Sequence, residues 1–158
     1  MSLMTPDGIT NRDWALVKHT AYKLANATAS NDCRSAARAN RSLFALLGRL
    51  EAKYGPRPSL LATRADYMPS SREKLALLLR AHKLAKMSHD GLNVELICSS
   101  LAKLYLDDMC CLKEGKKWLA RYKEALARNH ESGEHRTLRE LLDRALELEA
   151  MQKPACGG

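Results

Sequence analysis

The stretch "HESGEH", residues 130–135, carries the residue types of a zinc-protease helix, two histidines to hold a metal and glutamates to handle a proton. Its spacing defeats that chemistry. His130 and His135 stand five residues apart, where ligation from one helical face asks for about four, and Gly133 interrupts the helix between them. The stretch reads as a solvated loop. His19, His82 and His89 have no cysteine or carboxylate at ligand spacing and read as surface or packed histidines, so no metal is expected. Five cysteines, an odd number, include the neighbours Cys110 and Cys111 but show none of the paired spacings of a disulfide framework or zinc site. Reduced thiols are expected. Cys98 shares an apolar stripe with Leu101 and Tyr105 and reads as a buried, inert thiol. Cys110 and Cys111 lie near a helix end with Lys113 close by, an arrangement able to lower a thiol pKa, yet adjacent cysteines are more often incidental. Asp107 and Asp108 point about 100° apart on a helix and so do not face one cleft as an acid/base pair. The glycines are isolated and make no phosphate cradle. No reaction is legible; neither a catalytic residue nor a cofactor is expected, and the chain does not read as an enzyme.

Charge says more. The formal net charge is +8, and all of it lies in residues 1–90, where 15 Lys and Arg stand against 7 Asp and Glu; residues 91–158 hold 11 of each sign. Such a half attracts acidic partners or nucleic acid over long range, an attraction that salt weakens. Arg34, Arg38, Arg41, Arg49 and Lys53 fall within an arc of about 120° on one predicted helix. This basic face is the alternative site, for phosphates of nucleic acid. It has no interleaved aromatics for stacking and no helix-turn-helix signature, so a solvated helix exterior competes with it.

The elements that must position these residues are helices. With 46% hydrophobic, 28% charged and only 5% aromatic residues, and apolar content dominated by Leu and Ala, the composition suits one soluble all-helical domain. No apolar run approaches the roughly 20 residues of a membrane span. The N-terminus lacks the layout of a signal peptide, and a cytoplasmic protein is expected.

Seven periodic stretches follow. The first spans about 11–28, opened by a cap at Thr10, with Trp14, Val17, Ala21 and Ala25 on one face. The second, about 31–54, sets Ala36, Ala39, Leu43, Leu47, Leu50 and Tyr54 within about 80° and stops at "YGPRP". A short helix with Leu60, Leu61, Thr63 and Ala65 ends before Pro69. Ser70 and Glu73 form a capping box for a helix carrying Leu75, Leu78, Leu79, Ala81 and Ala85. Val94, Cys98, Leu101, Tyr105 and Met109 share the next stripe. A loop around Cys110 to Lys113 follows, then a helix with Trp118, Leu119, Tyr122 and Leu126, and a last one with Leu138, Leu141, Leu142, Ala145 and Leu148. Connections of about two to six residues predict antiparallel neighbours.

The pairing resembles the tetratricopeptide repeat, a 34-residue helix-turn-helix unit with large and small residues at fixed places. Cys98, Leu101, Ala102 and Tyr105 match the first helix of a repeat, and Gly115, Trp118 and Leu119 the second. Leu61 and Ala62, then Leu77, Leu78 and Ala81, match the repeat before it. Lys74 and Tyr122 stand where small residues are usual, and the loop before Gly115 is about one residue too long. The resemblance covers 57–130, with a divergent N-terminal hairpin over 11–54, a closing helix over 134–151 and a tail over 152–158. It implies an all-α stack of antiparallel helical hairpins forming a short superhelix. It also implies a groove along the first helix of each pair that binds a peptide or another protein; the basic half leads us to expect that the partner carries acidic residues. Carried over by position, the groove takes His19, Tyr22 and Lys23 from the first hairpin, Thr63, Asp66 and Tyr67 from the second, and Ser99, Lys103 and Asp107 from the third.

Overall fold

The computed structural model describes residues 3–129 and 135–152; of the "HESGEH" stretch only His135 is described, and the tail beyond 152 lies outside the described residues. Among these residues the chain forms seven α-helices: α1 (Asn11–Ala29), α2 (Cys33–Tyr54), α3 (Pro58–Asp66), α4 (Ser71–Met87), α5 (Gly91–Lys103), α6 (Leu112–Asn129) and α7 (Arg136–Gln152). A π-helical turn, Leu104–Asp108, continues α5. The only extended pairing described is a single bridge between Met4 and Thr10. The fold is all-α.

Short-range chemistry starts most of these helices. The Thr10 hydroxyl accepts the Asp13 N–H, Asp32 accepts from Ser35, Ser70 from Glu73 and Asp90 from Asn93, each satisfying a backbone donor that the first turn leaves open. α2 begins two residues later than the periodicity suggests because Asn31 turns into the left-handed region (φ 56°) and Asp32 supplies the cap. α3 has no cap of its own. Asp7, buried in a turn hydrogen-bonded to Thr5, reaches across 52 residues of sequence, and its Oδ2 accepts the Ser59 N–H at 2.9 Å. An anion at this helix N-terminus also meets the positive end of the helix dipole.

Helices pair in chain order. α1 packs on α2, α3 on α4 and α5 on α6, while α7 closes on α6; between hairpins α4 lies on α5, and α3, α5 and α7 approach one another in turn. The core falls into two clusters meeting at α3. Leu60 joins Ile9, Val17, Leu43 and Leu47 in one, and its neighbour Leu61 joins Leu78, Ile97, Leu101 and Leu106 in the other. Each fully buried leucine contributes about 1.5–3 kcal/mol of transfer free energy.

Several apolar faces sit differently from their stripes. Ala25 is exposed, and Leu24 and Ala27 take its place against α2, because the α1 contact face drifts with the 3.6-residue turn. Leu46 joins the buried face of α2. Leu79 and Leu142 stay open to solvent on their helices, as does Met109 just past the π-turn. The surplus residue before Gly115 is absorbed by the π-turn, not by the loop: the Met109 N–H donates to the Leu104 carbonyl five residues back. The loop therefore shrinks to 109–111, and Leu112 and Lys113 already belong to α6. Gly115 then lies so close to Leu106 that a Cβ there would stand 2.4 Å from a leucine methyl.

Candidate functional site

The α3 and α5 positions come together; those on α1 stand apart. Asp66, at the last turn of α3, keeps a face to solvent but lies within Coulomb reach of Lys74 on α4 and Lys103 on α5. Desolvation raises its carboxyl above the usual range, and the two ammonium groups pull it partly back. Tyr67 is half-buried beside it, its phenol pushed up by burial and then by the Asp66 charge. Thr63 is half-buried one turn earlier, and Ser99, half-buried on α5, donates its hydroxyl to the Leu96 carbonyl at 2.8 Å. Asp107 turns to α7, where Arg144 Nε donates to it at 3.1 Å. Asp108 instead meets Lys74 Nζ at 3.4 Å. The two aspartates thus serve different neighbours, as their angular separation on the helix requires.

One signal in this region went unread in the sequence. Leu92, Leu96, Ser99 and Lys103 lie within an arc of about 60° on α5, and the two leucines remain 47% and 52% exposed. The spacing of 4, 3 and 4 residues was legible; what periodicity cannot reveal is that this side of α5 faces solvent while Ile97, Cys98 and Leu101 face the core.

The α1 positions occupy another surface. α1 runs along α2 and makes no close backbone approach to α3 or α5. His19 and Tyr22 are exposed there, and Lys23 borders a cleft of about 420 Å³ between α1 and α2, opposite Arg38. The short α3, nine residues against nineteen in α1, leaves the N-terminal hairpin attached chiefly through α2 and the Ile9 cluster. Of the basic face, Arg34, Arg38, Arg41 and Arg49 are exposed. Lys53 is tied down, its Nζ 2.7 Å from Asp13, which also accepts the Tyr54 hydroxyl.

A second concavity, about 400 Å³, opens between α4 and α6 over α5. His82 and Lys86 form one wall, Arg121 and Arg128 the other, with Val94 and Cys98 beneath. At one end the His82 ring meets Trp118 edge-on, centroids 5.0 Å apart, and the Arg121 guanidinium lies 4.4 Å from the Trp118 ring centre. Burial, then Lys86 and Arg121, lower the His82 pKa, which keeps the ring neutral at neutral pH. Burial pushes the Cys98 thiol up to about 11, so it is no nucleophile. Sequence reasoning singled out Cys98 but not this cleft, because its cations come from helices 35 residues apart in the chain. Among the described residues no three His, Cys, Asp or Glu side chains gather as a metal set, and no helix is long and apolar enough to cross a membrane.

No family model, curated protein or solved structure matches the chain. The surfaces must therefore be read from their own chemistry.

Proposed function

We propose that this chain is a tetratricopeptide-like protein-interaction module, an adaptor, chaperone or inhibitor acting in the cytoplasm on a partner with acidic residues and needing no cofactor. The observation that carries the reading is the open row on α5. Two leucines half in water, continued by Ser99 and Lys103 and flanked by Asp66 and Tyr67, combine an apolar strip with a polar margin, the make-up of a protein-binding surface. The order of the hairpins supports it as well. First helices α3, α5 and α7 approach one another, which is how a helical repeat builds a continuous face, and a curved superhelix belongs to the same reading.

The test uses a Leu96→Asp variant and a Lys103→Glu variant, both at exposed sites and both checked for wild-type helicity by circular dichroism. Partners captured by the wild-type chain should be lost or strongly depleted with either variant. Recovery of the same partners in the same amounts would defeat the reading. The four exposed arginines of α2 support a second reading, nucleic-acid binding. Association with random duplex or single strands that falls steeply between low and moderate salt would favour it.

A further inference from the structure

The cleft between α4 and α6 plays no part in the reading above, and its chemistry differs from that of the α5 row. Its lining runs from His82 to Lys86 on α4 and on to His89 in the turn that follows, from Gly91 to Cys98 on α5 and from Arg121 to Asn129 on α6. Seven helical steps make a trough about 10 Å long, the span of about three residues of extended chain. Its volume, about 400 Å³, falls in the range of recognised binding sites, roughly 300–1,000 Å³.

Charge is spread along this trough. Arg121 stands at the Trp118 end and Arg128 at the other, with Lys86 on the facing wall between them. The one carboxylate in the lining, Glu124, is held by Arg128. Lys86 and Arg121 have no carboxylate partner among the described residues, and both of these cations, like the Glu124 carboxylate, reach the buried Cys98 electrostatically. Stacking on Trp118 holds Arg121 in place before any ligand arrives, which lowers the ordering cost of binding. Ala85, Val94 and Ala125 leave a small apolar floor.

We infer that this cleft binds an extended acidic segment of a partner chain, with one small apolar side chain over Ala85, Val94 and Ala125 and a carboxylate on either side, meeting Arg121 and Lys86. Nucleic acid fits less well. Trp118 is 95% buried with Arg121 across its ring, so no open aromatic face is offered to a base. The net charge of +8 steers an acidic chain to the protein from a distance. The α5 row would stand even if this site failed.

The test is fluorescence anisotropy with the full chain and a labelled peptide pool, Gly-Gly-(Asp/Glu)-Xaa-(Asp/Glu)-Gly-Gly with capped ends, where Xaa is Ala, Val or Leu. Saturable binding is expected. It should weaken about tenfold when Asn and Gln replace the acids, and about as much in Lys86→Gln or Arg121→Gln. Lys113→Gln, at the start of α6, should bind like wild type. Lys86 is exposed and outside the core, so its variant stays informative if the loss of Arg121 disturbs Trp118. Four results would overturn the inference. They are no saturation by the acidic pool at millimolar concentration, equal binding of the amide pool, wild-type affinity in a folded Lys86→Gln, and displacement by inorganic phosphate, glutarate or oligonucleotide at the concentration at which unlabelled peptide displaces.

Discussion

Replacing Gly115 by alanine tests the closest approach in the hairpin stack. The new Cβ would lie 2.4 Å from Leu106 Cδ2 and 2.7 Å from its Cγ, where carbon atoms normally rest about 3.5–4.0 Å apart. Leu106 must recoil by about 1 Å to restore that contact, and it is fully buried. Because the inner Cγ is crowded as well as the methyl, a simple rotamer change does not relieve the clash. Overpacking of this kind costs about 1–3 kcal/mol, set against a helix-propensity gain of up to about 1 kcal/mol for Gly→Ala. The net expectation is a loss of about 1–2 kcal/mol, a melting temperature lower by roughly 2–8 °C for a domain this long. Urea titration followed by circular dichroism, with calorimetry alongside, measures it. A double-mutant cycle sharpens the result. Leu106→Ala alone should cost about 2–5 kcal/mol, but in the Gly115→Ala background the methyl enters space the leucine has left. The combined loss should then fall short of the sum by about 0.5 kcal/mol or more. If Gly115→Ala stabilises the chain, or the two losses simply add, the π-turn and α6 are not in the contact described.

Two further outcomes follow from the electrostatics. The hydrogen bonds from Lys53 and then Tyr54 hold the Asp13 carboxyl below its usual range, and a folded pKa below the unfolded one stabilises at neutral pH and is lost as pH falls through the folded value. Asp13→Asn should therefore lower the urea midpoint at pH 7, with the gap to wild type narrowing as pH falls below about 4; a gap that does not change with pH would contradict the pairing. Cys98, with its thiol pushed up to about 11, holds about a thousandth of its population as thiolate at pH 8. Peptide mapping after brief iodoacetamide treatment of the native chain should find Cys33 and Cys110, both exposed, alkylated well before Cys98, and early labelling of Cys98 would show that α5 opens readily.

Local signals in the sequence located the helices well. The caps at Thr10 and Ser70 operate through a side chain and a backbone N–H three residues on, so a short window contains both partners. Pro69 and the Gly55–Pro56 stop act over similar distances. Legibility failed where a partner lay far away in the chain. The cap of α3 comes from Asp7, and nothing near Ser59 announces it. The extra residue before Gly115 was visible, but its placement in a π-turn depends on Leu106 and Leu104 both reaching the core. Leu79 and Leu142 share the polarity of their buried neighbours but remain exposed.

The candidate site divides along the same line. The resemblance gave Asp66, Tyr67 and Lys103 equivalent places in successive hairpins, and in the structure α3 meets α5. His19, Tyr22 and Lys23 were assigned by the same rule, but α1 runs along α2 and makes no close backbone approach to α3, which it meets only through the Leu60 cluster.

From its amino acids alone this chain was an all-helical domain with a basic first half, since periodicity, caps and charge are properties of neighbouring residues. Which faces meet, where two leucines stay wet and where Lys86 and Arg121 converge were settled only by packing. Burial depends on what stands opposite a side chain, and that is decided by contacts between segments tens of residues apart.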